Sequence, residues 1–400
     1  MRRFSIGWMV VLLLLGSLSG FPAFGFAEEK GTSPDVVISA TADTVGTQAQ
    51  SAALIDVRSG RIVYSKGGDK SLPIASLTKI MTAIVAIEEG KLTDQVRVSK
   101  NAFGKEGSSI YLKLGETISL TDLLYGLMLR SGNDAATAIA EHVGGSLEGF
   151  VYLMNRKAEE IGMTNSHFTN PHGLDDKEHY ASANDMAKLA AYALKNPVFQ
   201  EIVKTRSKKV TREDQPWDSV WTNKNKMLVL YPGSDGVKTG FTKIARRCLV
   251  SSATRDNQQL VAVTLNDGND WADHARMLDY GFSHYPLRQV VEKGQRLENG
   301  VVAQEPFAYP ATEAEATQFT RQVEMTAPGS VADRLGEKGR INLYLGDKRI
   351  GSVALDQMPG VPEDDTTSGQ AGGSPVVAAS FGERFASRLL EVARMLFDAP

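Results

Sequence analysis

From Leu77 the apolar side chains fall at three- and four-residue steps, Leu77, Ile80, Met81, Ile84 and Ile87, and the run stops at Gly90. That period predicts an amphipathic helix, with Pro73 ahead of its start, where no helical hydrogen bond is lost. Residues 52–57 and 61–64 read as two strands joined by a turn at Arg58-Ser59-Gly60. A second helical pattern runs from 121 to 143 through Leu123, Leu124, Leu127, Met128, Ala136, Ile139, Ala140 and Val143. It is interrupted by the small polar group Ser131-Gly132-Asn133. Helices are expected around 150–161 and 183–194, with the loop 170–175 between them, while 205–232 is mixed and polar without a period. Three strand-like runs follow at 236–242, 247–254 and 259–266, and their short links predict antiparallel pairing. A helix ending at Asp279-Tyr280-Gly281-Phe282 closes this part.

From Tyr285 the pattern changes to short β-like pieces at 288–291, 319–325, 340–345 and 348–355, which predicts a small all-β domain over 285–356. Residues 357–378, rich in Pro, Gly, Asp, Thr and Ser, read as a flexible linker. Over 379–398, Phe381, Phe385, Leu389, Val392 and Leu396 share one helical stripe with arginines elsewhere, the pattern of a helix lying in a membrane surface. Its charges balance, so attraction to anionic lipid is modest. The other end, 1–27, has Arg2 and Arg3, a short apolar run around Val10–Leu15 broken by glycine, serine and proline, and small residues before position 28. These are the parts of an export signal. Residues 28–48 form a leader, and 49–284 is expected to be one α+β domain.

Composition adds limits. The 400 residues carry 44 Lys and Arg against 47 Asp and Glu, with no basic block, so a nucleic-acid role has no support. Removal of 1–27 deletes two positive charges and no negative one, taking the formal charge from −3 to −5. Cys248 is the one cysteine, so the exported chain has no internal disulfide and depends on a conventional core. Within Cys248-Leu249-Val250 it reads as a small buried hydrophobe.

The chemistry starts at Ser76 and Lys79. Three apart on a helix, they share a face, and a lysine kept in a partly buried cleft can take a proton from the serine hydroxyl. Ser-x-x-Lys alone recurs by chance. Ser131-Gly132-Asn133 on an interhelical loop and Lys238-Thr239-Gly240 on a strand follow it in order, and the three together are far more specific.

With these motifs the chain resembles the D-alanyl-D-alanine carboxypeptidases, the low-molecular-mass penicillin-binding proteins, in the form found in spore-forming Gram-positive bacteria. The resemblance extends to Met163-Thr164-Asn165, Asn170-Pro171-His172-Gly173-Leu174, Tyr231-Pro232-Gly233 and Asp279-Tyr280-Gly281-Phe282. It implies a β-lactamase/transpeptidase-like catalytic domain, an antiparallel sheet flanked by helices, ahead of the small β domain and tail helix. It implies a serine peptidase without metal or organic cofactor, exported to the outer face of the cytoplasmic membrane or the cell wall. The substrate would be the pentapeptide stem of peptidoglycan, and β-lactams would acylate the same serine. Ser76 would be the nucleophile, Lys79 its base and Ser131 a proton carrier. Asn133 would hold the substrate peptide and Lys79, and Lys238 and Thr239 the terminal carboxylate. Gly240 would admit the substrate backbone, and the N–H groups of Ser76 and Phe241 would form the oxyanion hole.

One position departs from the family pattern: Arg246 stands where a glycine is expected after the substrate strand. Among rivals, an endopeptidase or transpeptidase shares every catalytic residue. A β-lactamase of the common serine class needs Glu-x-x-x-Asn, and here Glu160 is followed by Asn165, one residue too far. A zinc peptidase would have to draw on His167, His172, His179, Asp175 and Asp176, without a His-Glu-x-x-His helix. A catalytically silent wall-binding protein would not need Ser76, Lys79, Ser131 and Lys238 together.

Overall fold

The computed structural model describes residues 45–212 and 219–357. The export signal, most of the leader, the linker beyond Gln357 and the amphipathic tail lie outside the described residues. The last leader residues are part of the fold: Gln48 N–H donates to Asp273 at 2.5 Å and Gly46 O accepts from Arg276 at 3.2 Å.

Five strands form the principal sheet: β1 (Ser51–Asp56), β2 (Ile62–Lys66), β3 (Ser234–Thr242), β4 (Arg246–Arg255) and β5 (Gln258–Leu265). Their order is β2-β1-β5-β4-β3, antiparallel throughout. The three runs expected to pair antiparallel are β3, β4 and β5, each shifted by a residue or two. Side chains alternate between two cores, as a pleated strand covered on both faces requires. Ala53, Ile55, Val250, Val261 and Val263 enter a helical core, while Ala52, Leu54, Leu249, Leu260 and Ala262 face the opposite way.

The helical core holds α1 (Lys79–Glu89), α2 (Leu120–Tyr125), α3 (Asn133–Gly144), α4 (Leu147–Glu160), α5 (Ala183–Ala193) and α6 (Pro197–Lys204). From Lys79 to Ala86 every residue of α1 is buried, so this helix is the central rod rather than an amphipathic surface piece. On the far face α7 (Asp270–His284) packs Ala275, Met277 and Leu278 against the sheet.

The predicted 121–143 pattern is two helices with a π-helical turn, Gly126–Arg130, between them. Helix α6 was not anticipated, although Asn196 caps it by accepting from Val198 and Phe199 N–H, with proline at the start. Nor was the ribbon Ser207–Val210 with Ser219–Thr222, whose polar strands carry no alternation.

Beyond α7 a third core is built from Val290, Val291, Val301, Ile341, Leu343, Val353 and Leu355. Strands Val301–Ala303, Lys348–Gln357, Gly339–Leu345 and Phe319–Met325 form one antiparallel sheet in that order, and Leu287–Val291 pairs with Phe307–Pro310. Val301–Ala303 and Phe307–Pro310 were missed because three or four residues give no period. Arg61, at the β1–β2 turn, donates to Pro310 O at 2.7 Å and pairs with Glu315 at 2.5 Å, tying the two parts together. Among the described residues no helix is long and apolar enough to cross a membrane.

Candidate active site

A tight 3-10 turn, Ala75–Thr78, feeds α1 and sets Ser76 one turn ahead of Lys79. Ala75 takes φ 48°, a left-handed conformation that costs an L-residue about 1–2 kcal/mol. The loop after Asn170 braces this turn. Asn170 Oδ1 accepts from Gly173 N–H at 2.7 Å, and Gly173 has φ 82°. A Cβ on Gly173 would stand 1.9 Å from Ala75 O, so only glycine lets loop and turn meet.

Lys79 is fully buried. Its Nζ donates to Ser76 Oγ at 2.9 Å, Asn133 Oδ1 at 2.7 Å and His172 O at 2.5 Å. Lysine can only donate, so the Asn133 oxygen must face it, and the Asn133 amide turns to Glu106 O at 2.7 Å. One of its two amide hydrogens is thereby given to the protein. Burial first, then the charges of Lys238 and Lys224, push Lys79 well below the usual lysine range, against an opposing pull from Asp134.

Ser131 follows the π-helical turn at φ 64°, a second strained residue, with its side chain at the cleft wall. Opposite lies β3, an edge strand. At Gly240 a Cβ would come within 3.2 Å of Ser76 N and 3.1 Å of Ile74 O, so the glycine lets strand and nucleophile turn touch. Lys238 is buried beneath this strand and donates to Thr239 O at 2.7 Å. Burial, with the charge of Lys224 behind it, lowers its pKa to about 7.

These elements enclose a cleft of about 410 Å³. Ser76, Ser131, Thr239, Gly240 and Phe241 line it, whereas Lys79, Asn133 and Lys238 sit beneath its surface. All eight predicted residues thus converge, five on the wall and three behind it. Five lining residues were not singled out from the sequence: Ser108, Lys224, Arg247, Asp270 and Trp271. Lys224 donates to Ser108 Oγ at 3.3 Å and brings a cation to the cleft. Arg247 pairs with Asp270 and lies over the Trp271 ring at 5.7 Å. Lys224 sits in a polar stretch without period, so no sequence signal marked it. A cavity of about 900 Å³ opens near Ser234, at the other end of β3, and none of the three motifs reaches it.

The histidines are committed elsewhere. His179 Nδ1 accepts from Thr169 N–H at 3.0 Å and its Nε2 meets Thr78 Oγ1 at 2.7 Å; His172 Nδ1 accepts from Leu174 N–H at 3.3 Å. Burial lowers them to about 4 and about 3. Cys248 is buried and its thiol pushed up to about 12, as expected of a small hydrophobe.

The sequence profile described as D-alanyl-D-alanine carboxypeptidase matches residues 37–269. The carboxypeptidase DacF of Bacillus subtilis is 38% identical over 256 residues, 62% of this chain and 66% of that one. DacA of Haemophilus influenzae is 34% identical over 62% of this chain and 65% of its own length, so the match spans just under two thirds of these relatives. DacD of Escherichia coli is 30% identical over 79% and 87%. Among solved structures, penicillin binding protein 5 from Haemophilus influenzae superposes with a TM-score of 0.63 at 27% identity, covering 80% of this chain and 98% of that one. A DD-transpeptidase of Streptomyces K15 gives 0.57 at 30%, covering 60% and 100%.

Proposed function

Because the chain belongs to the D-alanyl-D-alanine carboxypeptidase family, we propose that it removes the terminal D-alanine from peptidoglycan pentapeptide stems through an acyl-enzyme on Ser76. The observation that carries this reading is the donor geometry at Lys79. Two of its three partners, Asn133 Oδ1 and His172 O, can only accept. Ser76 Oγ alone can reverse direction. When Lys79 is neutral its two hydrogens satisfy the fixed acceptors and its lone pair faces the serine hydroxyl. Burial and the charges of Lys238 and Lys224 lower its basicity and so favour that form.

The substrate lies along the free edge of β3, pairing its backbone as an added strand. Thr239 and Lys224 meet the terminal carboxylate, with Lys238 adding positive potential from beneath. Ser76 Oγ bonds to the penultimate D-alanine carbonyl as Lys79 takes its proton. The N–H groups of Ser76 and Phe241 receive the oxyanion. The C–N bond then breaks, and the proton passes by way of Ser131 to the departing D-alanine. Water, deprotonated by the same lysine, cleaves the ester and restores Ser76. A second reading follows from the likeness to the Streptomyces K15 DD-transpeptidase: an amine in place of water would give transpeptidation. We place the protein outside the cytoplasm, at the membrane surface through its tail, which fits an export signal and a wall substrate.

The test is an intact-mass time course with benzylpenicillin and peptide mapping, then product analysis on a D-alanyl-D-alanine peptide. One lasting adduct on Ser76 and release of free D-alanine are expected. No adduct sinks the serine mechanism; an adduct lost within seconds with drug consumed indicates a β-lactamase; product joined to added amine indicates a transpeptidase.

A further inference from the structure

Tyr111 is 82% exposed and has φ 59°. A bulky residue in that region is an outlier costing about 1–2 kcal/mol, and its ring recovers nothing by packing. The backbone on either side is nonetheless pinned by buried charge. Asp134, 1% exposed, accepts from Ile110 N–H and Leu112 N–H at 3.1 Å and from Ser109 Oγ at 2.6 Å. Arg212, 5% exposed, donates to Ile110 O at 3.0 Å and Tyr111 O at 2.9 Å while holding the Glu116 carboxylate bidentately at 2.5 Å. Tyr111 N–H is taken by Ser109 Oγ at 2.8 Å. The network fixes one strained conformation whose visible product is a ring held out in solvent, and strain maintained in this way marks functional positions.

Ser108 lines the catalytic cleft, and three residues of chain place Tyr111 within about 10 Å of it. We propose that Tyr111 is a saccharide platform, its ring stacking on a pyranose of the glycan strand that carries the stem peptide. This rests on the carboxypeptidase reading. A stem cleaved after its fourth residue leaves the sugar about 13 Å of extended chain from Ser76, so the glycan must pass the cleft rim. A tyrosine suits that role: its apolar face meets the ring C–H groups while its hydroxyl stays wet.

The test compares full-length wild type with Tyr111→Ala and Tyr111→Trp, using a free D-alanyl-D-alanine tripeptide, a glycan-linked pentapeptide and sedimentation with purified glycan stripped of stems. Tyr111→Ala is expected to lower kcat/KM on the glycan-linked substrate and glycan binding about three- to tenfold, the effect of one aromatic stack. The tripeptide rate and benzylpenicillin acylation stay at wild-type values, and Tyr111→Trp restores all readouts. Equal loss on both substrates, or no loss in glycan binding, overturns the proposal. So does a loss confined to sedimentation with phosphatidylglycerol vesicles, which assigns the ring to lipid. If wild type cleaves neither substrate the carboxypeptidase reading fails, and glycan sedimentation by itself still decides for or against Tyr111.

Discussion

Arg246 pairs with Thr242 across the hairpin that ends the substrate strand, and it does so at φ 60°. This is the position where the family pattern has glycine, and the backbone explains why: the short turn demands a left-handed residue. Thr242 Oγ1 steadies the turn by accepting from Ala245 N–H at 2.9 Å. Arg246→Gly is therefore expected to stabilise the protein by about 0.5–1 kcal/mol, the relief of strain less the added freedom of the unfolded chain. Differential scanning calorimetry should show a rise of about 2 °C, with the acylation rate little changed.

Asn133 Oδ1 accepts from Lys79 Nζ, so a charge placed there acts directly on the base. Asn133→Asp puts a carboxylate 2.7 Å from Nζ and faces Glu106 O with an acceptor where a donor stood. An opposite charge at that distance raises a lysine by about 1–3 units, so benzylpenicillin acylation at pH 7 falls, at most about 10- to 1,000-fold. Stopped-flow acylation across pH should show the acid limb moved upward, which a merely unfolded variant would not do.

Two lysines bracket the working range. Lys79 must be neutral to act as base, and burial with the charges of Lys238 and Lys224 shifts the acid limb that it sets downward. Lys238, with a value of about 7, loses its charge as pH rises through that value, and with it the positive potential beneath Thr239. A bell-shaped kcat/KM is expected, with an alkaline limb near 7 in the free enzyme. Lys238→Arg, charged throughout, removes that limb while leaving the acid one; a limb that persists in this variant belongs to another group.

His172, His179 and His274 are buried neutral, with values of about 3, 4 and 3. Each lies below the unfolded value near 6.5, so the unfolded chain binds these protons first. Stability is complete above about pH 6.5 and is lost as pH falls toward 4. Each site contributes about 2 kcal/mol of loss by pH 5. Asp267, raised to about 6 by burial, works in the opposite sense over the same interval and offsets part of it. Urea denaturation at pH 7 and pH 5 should show a net fall of several kcal/mol; equal midpoints would contradict the burial of these rings.

The site was legible where its chemistry is local. Ser76 and Lys79 are three residues apart, and Ser131 and Lys238 belong to short motifs that keep their meaning out of context. What could not be read depends on chain reversals. Lys224 enters the cleft because the polar stretch after α6 folds back over Ser108. His172 matters through its carbonyl on Lys79, a group every residue possesses, so nothing in its side chain pointed to that contact. In the fold, β1 was found from its apolar run, yet which of its residues face which core was hidden because both faces are covered. Short strands such as Val301–Ala303 exist through their partner, Lys348–Gln357, rather than their own pattern.

An unpaired sheet edge is ordinarily a hazard, since any extended chain can dock there. In this molecule β3 is one of the two edges of the principal sheet, and the Ser76 turn and the Ser131 loop line the cleft beside it. On the proposed function, the substrate would supply one further strand at that edge. Such an edge would select first for an extended backbone, which a flexible peptide end can adopt and a helical one cannot. Product release would then be the loss of that added strand.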